Sequence, residues 1–210
     1  MVSEVRIYVE GGGDAKETKA AVRHGFGEFL RALRELARAR RIGWRIIACG
    51  SRQSALDDFK RALKANPEAF NLLLVDSEGP VANPALPWQH LRQKNGWEVD
   101  VPPLRSDQCH LMVQALEAWL IADVDALDRF YGQGFNRNPI PKARNVEDVD
   151  KAALAPALKA ATRGAVRGEY HKTRHAPRIM ATLDVAKVRS RAPFCERLFN
   201  TLAERIGGAA

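Results

Sequence analysis

The chain is poor in cysteine, lacks long apolar runs and carries none of the common nucleotide-binding glycine motifs. Each shortage removes a class of protein. Its 210 residues include three cysteines, Cys49, Cys109 and Cys195, widely spaced and never in a C-x-x-C pair. A zinc ribbon or a dithiol redox centre therefore finds no support, and scattered thiols suit a reducing compartment, each as a small core residue. No apolar stretch approaches the ~20 residues that a membrane-spanning helix needs. There is no Gly-Lys pair, so the phosphate-binding G-x-x-x-x-G-K-[ST] loop is absent, and so is G-x-G-x-x-G. Any ATPase coupled to this protein must be another chain. No basic-then-apolar leader opens the sequence, which predicts a soluble cytoplasmic protein that does not bind membranes. Neither an internal repeat nor a low-complexity tract occurs.

What is present is positive charge. Lys and Arg number 33 against 25 Asp and Glu, a formal +8. From Arg137 to Arg191 there are 13 basic and 5 acidic residues, and a second cluster runs Arg31, Arg34, Arg38, Arg40, Arg41 and Arg45. Such an excess attracts polyanions, nucleic acid first. Solvated helix faces in a high-pI protein would look the same.

Hydrophobic periodicity alternates between strand and helix. Residues 4–9 read as a strand and 15–41 as a helix with Phe26, Phe29, Leu30, Leu33 and Leu36 on one side, although Gly25 and Gly27 weaken its first half. A second strand is expected over 44–49, a helix over 52–65 and a third strand over 70–75. The third is apolar throughout, as when both faces of a sheet are covered. Five prolines mark 79–107 as an irregular excursion with a short helix near 86–94. A fourth strand over 109–114 and a helix over 115–132 follow, then a loop-like 133–150 and a helical 151–207. This pattern predicts an α/β fold with a parallel sheet of about four strands flanked by helices. A domain over 1–132 would carry the site, with a basic helical extension over 133–210 packed on it. Right-handed crossovers bring all strand C-terminal ends to one edge, where α/β proteins bind ligands.

Two strands end in acid. "YVEGGGD" puts Glu10 at the end of the first, and "LLLVDSEGP" puts Asp76 and Glu78 at the end of the third. If strand geometry continues, Asp76 and Glu78 point the same way. Carboxylates this close stay ionised together only around a cation or a basic group. Oxygen ligands favour a hard ion, Mg²⁺ or Mn²⁺. Asp14 stands where a helix N-cap is expected. His171 and His175 share helical spacing but have no further zinc ligands nearby, so polar surface or substrate contact is expected of them. Trp88, Trp97 and Trp119 read as core or lid packing.

"VEGGGD" followed by "LLLVDSE" resembles the Toprim domain of topoisomerases, bacterial primases and overcoming-lysogenisation-defect nucleases. That domain pairs a strand-ending Glu with a later D-x-D, here with Glu78 in the last position. The pair Glu10 and Asp14 is similar to the nuclease branch, where both acids face metal. "QALEAWLIAD" and "YHKTRHA" extend the resemblance to Toprim-like proteins associated with ATPases in bacterial antiphage defence. The resemblance implies a metal-dependent nuclease. Glu10, Asp76 and Glu78 would bind one Mg²⁺ or Mn²⁺, Asp14 and Glu117 would help to hold a second, and Lys172 would offset transition-state charge. Asp123 is read as structural. Arg144, Arg167, Lys172, Arg174 and Arg178 are the candidates for contact with nucleic acid, DNA ahead of RNA. Two other readings stay open: a non-catalytic or conditionally active module that binds nucleic acid or docks on an ATPase, and a small-molecule phosphohydrolase.

Overall fold

The computed structural model describes residues 2–83, 86–97 and 105–207. The four parallel strands are β1 (Glu4–Glu10), β2 (Gly43–Gly50), β3 (Phe70–Asp76) and β4 (Cys109–Met112), in the order β2-β1-β3-β4. From β1 the chain crosses outward to β2, returns to the other side of β1 for β3, and moves outward again to β4. The winding reverses between β1 and β3. A crevice opens at such a switch point, outside the strand ends.

Alternation along the strands sorts two cores. Val5, Ile7 and Val9 of β1 and Leu72 and Leu74 of β3 face one side. Tyr8, Leu73 and Val75 face the other, against Ala55, Leu56 and Phe59 of α3 (Arg52–Ala65). The first face is covered by α1 (Lys16–Phe29), α2 (Arg31–Ala39), α5 (Leu116–Ala122) and the C-terminal helices. Those are α7 (Lys151–Thr162), α8 (Lys172–Met180), α9 (Val185–Arg191) and α10 (Pro193–Ile206). Residues on both sides of position 132 thus share one hydrophobic core. All three cysteines are buried and unpaired.

Four expectations shift. The helix expected over 15–41 is broken at Leu30, whose φ of −98° and ψ of 17° leave helical space. Leu30 is fully buried, so packing rather than a Gly or Pro sets the break. The helix expected over 115–132 divides at Asp123, whose carboxylate caps α6 (Val124–Tyr131) by accepting the Ala126 N–H. The fourth strand stops at Met112 rather than Gln114. Asp14 is exposed and caps nothing, because the N-cap of α1 is Ala15, without a side-chain bond. The short helix near 86–94 is α4 (Pro87–Asn95), while much of the rest of the excursion lies outside the described residues. Among the described residues no helix is long and apolar enough to cross a membrane.

Candidate metal centre

β1 delivers Glu10 and β3 delivers Asp76 to neighbouring positions at the switch point, and the Asp76 N–H donates to Glu10 Oε2 at 3.1 Å. The strand geometry does not continue to Glu78. Its φ is +64°, a left-handed conformation that costs a non-glycine residue roughly 1–2 kcal/mol. The ladder persists briefly in another form, since the Ser77 and Glu78 N–H groups donate to Met112 and Gln114 carbonyls, each at 3.0 Å. The turned backbone still brings one oxygen each of Glu10, Asp76 and Glu78 within 4.8 Å of one another.

Each carboxylate of this group also meets a cation. Arg52, at the start of α3, lies 3.8 Å from Glu10 and stacks over Trp97 at 4.9 Å. Its Nε and Nη2 are buried without a hydrogen-bond partner. Lys172, at the start of α8, reaches Asp76 Oδ2 at 3.2 Å and Glu117 Oε2 at 3.4 Å. Lys151, at the start of α7, pairs with Glu78. Gln114 seats that lysine: its backbone carbonyl accepts from Glu78 and its side-chain oxygen accepts the Lys151 N–H at 3.2 Å. Asp76 Oδ1 accepts the Leu116 N–H at 2.8 Å. Glu117 is buried, not solvent-facing, and accepts the Tyr170 hydroxyl at 3.1 Å.

Crowding and burial set the protonation. Burial first, then the charge of Asp76, pushes Glu10 up to about 7, against the pull of the Asp76 N–H and Arg52. Burial raises Asp76, with Lys172 opposing and Glu117 adding to the rise. Burial works against the Lys172 charge, but Asp76 and Glu117 outweigh it and hold Lys172 above the usual lysine range. A hard divalent cation fits this donor set. Three carboxylate oxygens converge, no sulfur or imidazole is among them, and burial raises two of the acids, a rise that added positive charge would oppose.

The structure therefore brings together Glu10, Asp76 and Glu78, with Lys172 beside them and Glu117 joined through Lys172. Asp14 stands outside this group, on the exposed loop before α1. Arg144, Arg167, Arg174 and Arg178 are all exposed, and among the described residues none has an acidic partner. Arg167 lies over Phe130 at 4.9 Å. By contrast Arg31 and Arg34 pair with Glu28, and Arg45 with Glu4. Half of the second basic cluster thus has an acidic partner, though Glu28 serves two of those arginines and Glu4 also serves Arg6. His175 departs from the expected polar surface: it is buried among Phe130 and Tyr131, with the Tyr131 hydroxyl 3.0 Å from Nδ1, while His171 is exposed. Trp119 is core, stacked on Phe29, and Trp88 covers Phe59.

Sequence reasoning missed Arg52, Lys151, Tyr170 and Gly25. Arg52 was within reach, since it follows the end of β2 at the same sheet edge. Tyr170 precedes Lys172 by two residues. Lys151 carried no signal, because its partner is 73 positions away. Gly25 is where α8 meets α1: a Cβ there would collide with the Pro177 carbonyl. The glycine that weakens α1 as a helix is what lets α8 lie close enough to carry Lys172 to Asp76.

Next to the carboxylates lies a cavity of about 210 Å³, between α1, α8 and the ends of the strands. Its lining joins Glu10, Asp76, Lys172 and the Gly11–Gly13 loop to a set of apolar side chains. All three glycines have positive φ. A Cβ at Gly12 would press on the Lys19 backbone at 3.1 Å, so this turn requires glycine there.

These features define an α/β protein with a carboxylate centre at the switch point of a parallel sheet. A family model described as a domain of unknown function, DUF4276, matches residues 9–203, and the chain belongs to that family. No curated protein and no solved structure matches the chain.

Proposed function

We propose that the protein is a Mg²⁺- or Mn²⁺-dependent nuclease that hydrolyses phosphodiester bonds of nucleic acid, DNA ahead of RNA. The observation that carries this reading is the convergence of Glu10, Asp76 and Glu78 within 4.8 Å at the switch point, with Lys172 alongside. Glu10, Asp76 and Glu78 would hold the cation, which when bound would supply positive charge to ease deprotonation of water and polarise the phosphoryl group. Lys172, pinned between Asp76 and Glu117, donates to a non-bridging phosphate oxygen as negative charge grows there. Tyr170 fixes Glu117, and Glu117 in turn fixes Lys172. The exposed Arg144, Arg167, Arg174 and Arg178 supply unpaired positive charge for the strand's phosphates. The Toprim-like motifs add an expectation of work in antiphage defence with a separate ATPase.

One observation favours the conditional form of this reading. Glu78 and Asp76 already hold Lys151 and Lys172. A cation competing for them must displace or share those ammonium groups. A partner that shifts α7 would release Glu78, which gives an ATPase subunit a physical means of switching the site. The test is to incubate the protein with plasmid, linear DNA and RNA in Mg²⁺ or Mn²⁺, beside Glu10→Ala and Asp76→Ala. Metal-dependent cleavage lost in both variants is expected. Inertness of the wild type, with and without a candidate ATPase, would overturn the enzyme and leave a binding module.

A further inference from the structure

We propose that the cavity beside the carboxylates takes the nucleobase of the nucleotide whose phosphate lies at Lys172, so that the substrate is an unpaired strand or a frayed end. The inference rests on the nuclease reading for its phosphate and on the cavity for its base. The wall is built from Val22 and Phe26 of α1, Met112 of β4, and Pro177 and Met180 of α8. It presents one aromatic ring and two thioethers, and apart from Glu10, Asp76 and Lys172 no charged or amide side chain lines the cavity. A phosphate alone would have no use for such a wall, and a wholly apolar ligand would be opposed by the carboxylates and lysine of the lining. A nucleotide matches both halves, with a flat, weakly polar ring on an anionic group.

Size and chemistry narrow the ligand further. At about 210 Å³ the cavity is smaller than the ~300–1,000 Å³ of typical sites for drug-sized ligands. It therefore admits one ring system and not a stack. A base inside a duplex cannot enter while it is paired and stacked, so it must already be free or be turned out of the helix. Stacking tolerates any base because every base has a π face. Thioether side chains adapt to different outlines. With no hydrogen-bonding side chain in the wall, the pocket selects an unpaired nucleotide without reading which base it carries.

The experiment measures equilibrium binding of dAMP, dTMP, deoxyribose 5-phosphate and inorganic phosphate to the whole protein in Mg²⁺. Wild type is compared with Thr173→Trp, which places a bulky ring at an exposed position of the lining. Both mononucleotides are expected to bind about 10-fold more tightly than deoxyribose 5-phosphate, the increment of one stacked base. Thr173→Trp should remove that preference while keeping phosphate binding. Equal affinity for deoxyribose 5-phosphate and dAMP in the wild type, or no binding of either mononucleotide, overturns the pocket. So does cleavage of blunt duplex as fast as single strand. The base preference without hydrolysis of any nucleic acid keeps the pocket and sinks the nuclease. Hydrolysis without the preference does the reverse.

Discussion

Two buried aspartates, Asp76 and Asp123, sit in the same molecule in opposite electrostatic surroundings. Asp123 has no exposure at all, and everything around it is matched. It accepts the Ala126 N–H that starts α6 and the Asp184 N–H before α9, and it pairs with Lys187 at 3.3 Å. The acids beside it are matched too: Asp125 with Lys187 and Arg137, and Asp128 with Arg137. Asp76 is nearly as buried, but it is crowded by Glu10, Glu78 and Glu117, and among the described residues three cations, Arg52, Lys151 and Lys172, pair with these four acids. A cavity opens beside it. Burial of an acid therefore does not by itself mark a candidate site here. A local excess of carboxylate at an open sheet edge is what sets Asp76 apart.

The largest effect expected from this comparison is on stability at the balanced site. Asp123→Ala uncaps α6 and leaves the Ala126 and Asp184 N–H groups without their acceptor, and should cost about 2–3 kcal/mol in chemical denaturation. Asp76→Ala, which relieves carboxylate crowding, should cost far less while abolishing metal-dependent cleavage. Equal losses would break the distinction. Next come the two lysines. Lys172→Met should lower cleavage by about 10²–10³-fold with little change in unfolding. Lys187→Met should leave cleavage intact and cost less stability than Asp123→Ala, since that side chain is half-exposed.

Gly25→Val should cost about 1–3 kcal/mol by wedging α8 from α1. It should also lower activity beyond its effect on the folded fraction, because Lys172 rides on α8. A pH effect concerns Glu147, also buried, whose carboxylate caps α10 by accepting the Phe194 N–H. Burial pushes it up to about 8, with backbone N–H groups of Phe194 and Cys195 opposing. Between pH ~4.5 and 8 the native state keeps a proton that the unfolded chain has released. Stability should therefore fall as pH rises, by up to about 1.4 kcal/mol per unit. Glu147→Gln should flatten that slope in denaturation series run from pH 5 to 9.

The sheet was legible because strand residues obey period two and end in recognisable acids. β1, β2 and β3 fall within a residue or so of their expected bounds. Parallel topology then placed Glu10 beside Asp76 across 66 positions. Helix breaks were not legible, since Leu30 and Asp123 interrupt periodic segments for reasons of packing and capping that no local pattern carries. Glu78 arrived at the site by a left-handed turn rather than by strand alternation, so the expected residue came by an unexpected path. Lys151 is set by a contact between distant segments, where a single sequence shows charge without showing its partner, whereas Arg52 follows the end of β2 and could have been placed at the sheet edge. Gly25 was read as a weakness of α1 because its close contact with Pro177 exists only in the folded chain.

The most direct test of the central claim is a calorimetric titration of Mn²⁺ into the purified protein, wild type beside Glu10→Ala, Asp76→Ala and Glu78→Ala. Saturable binding that tightens as pH rises through about 7, as Glu10 ionises, and that fails in the Glu10 and Asp76 variants, is the predicted result. Binding that survives all three substitutions unchanged, or no binding to the wild type, would contradict the claim that these strand-ending acids hold a divalent cation.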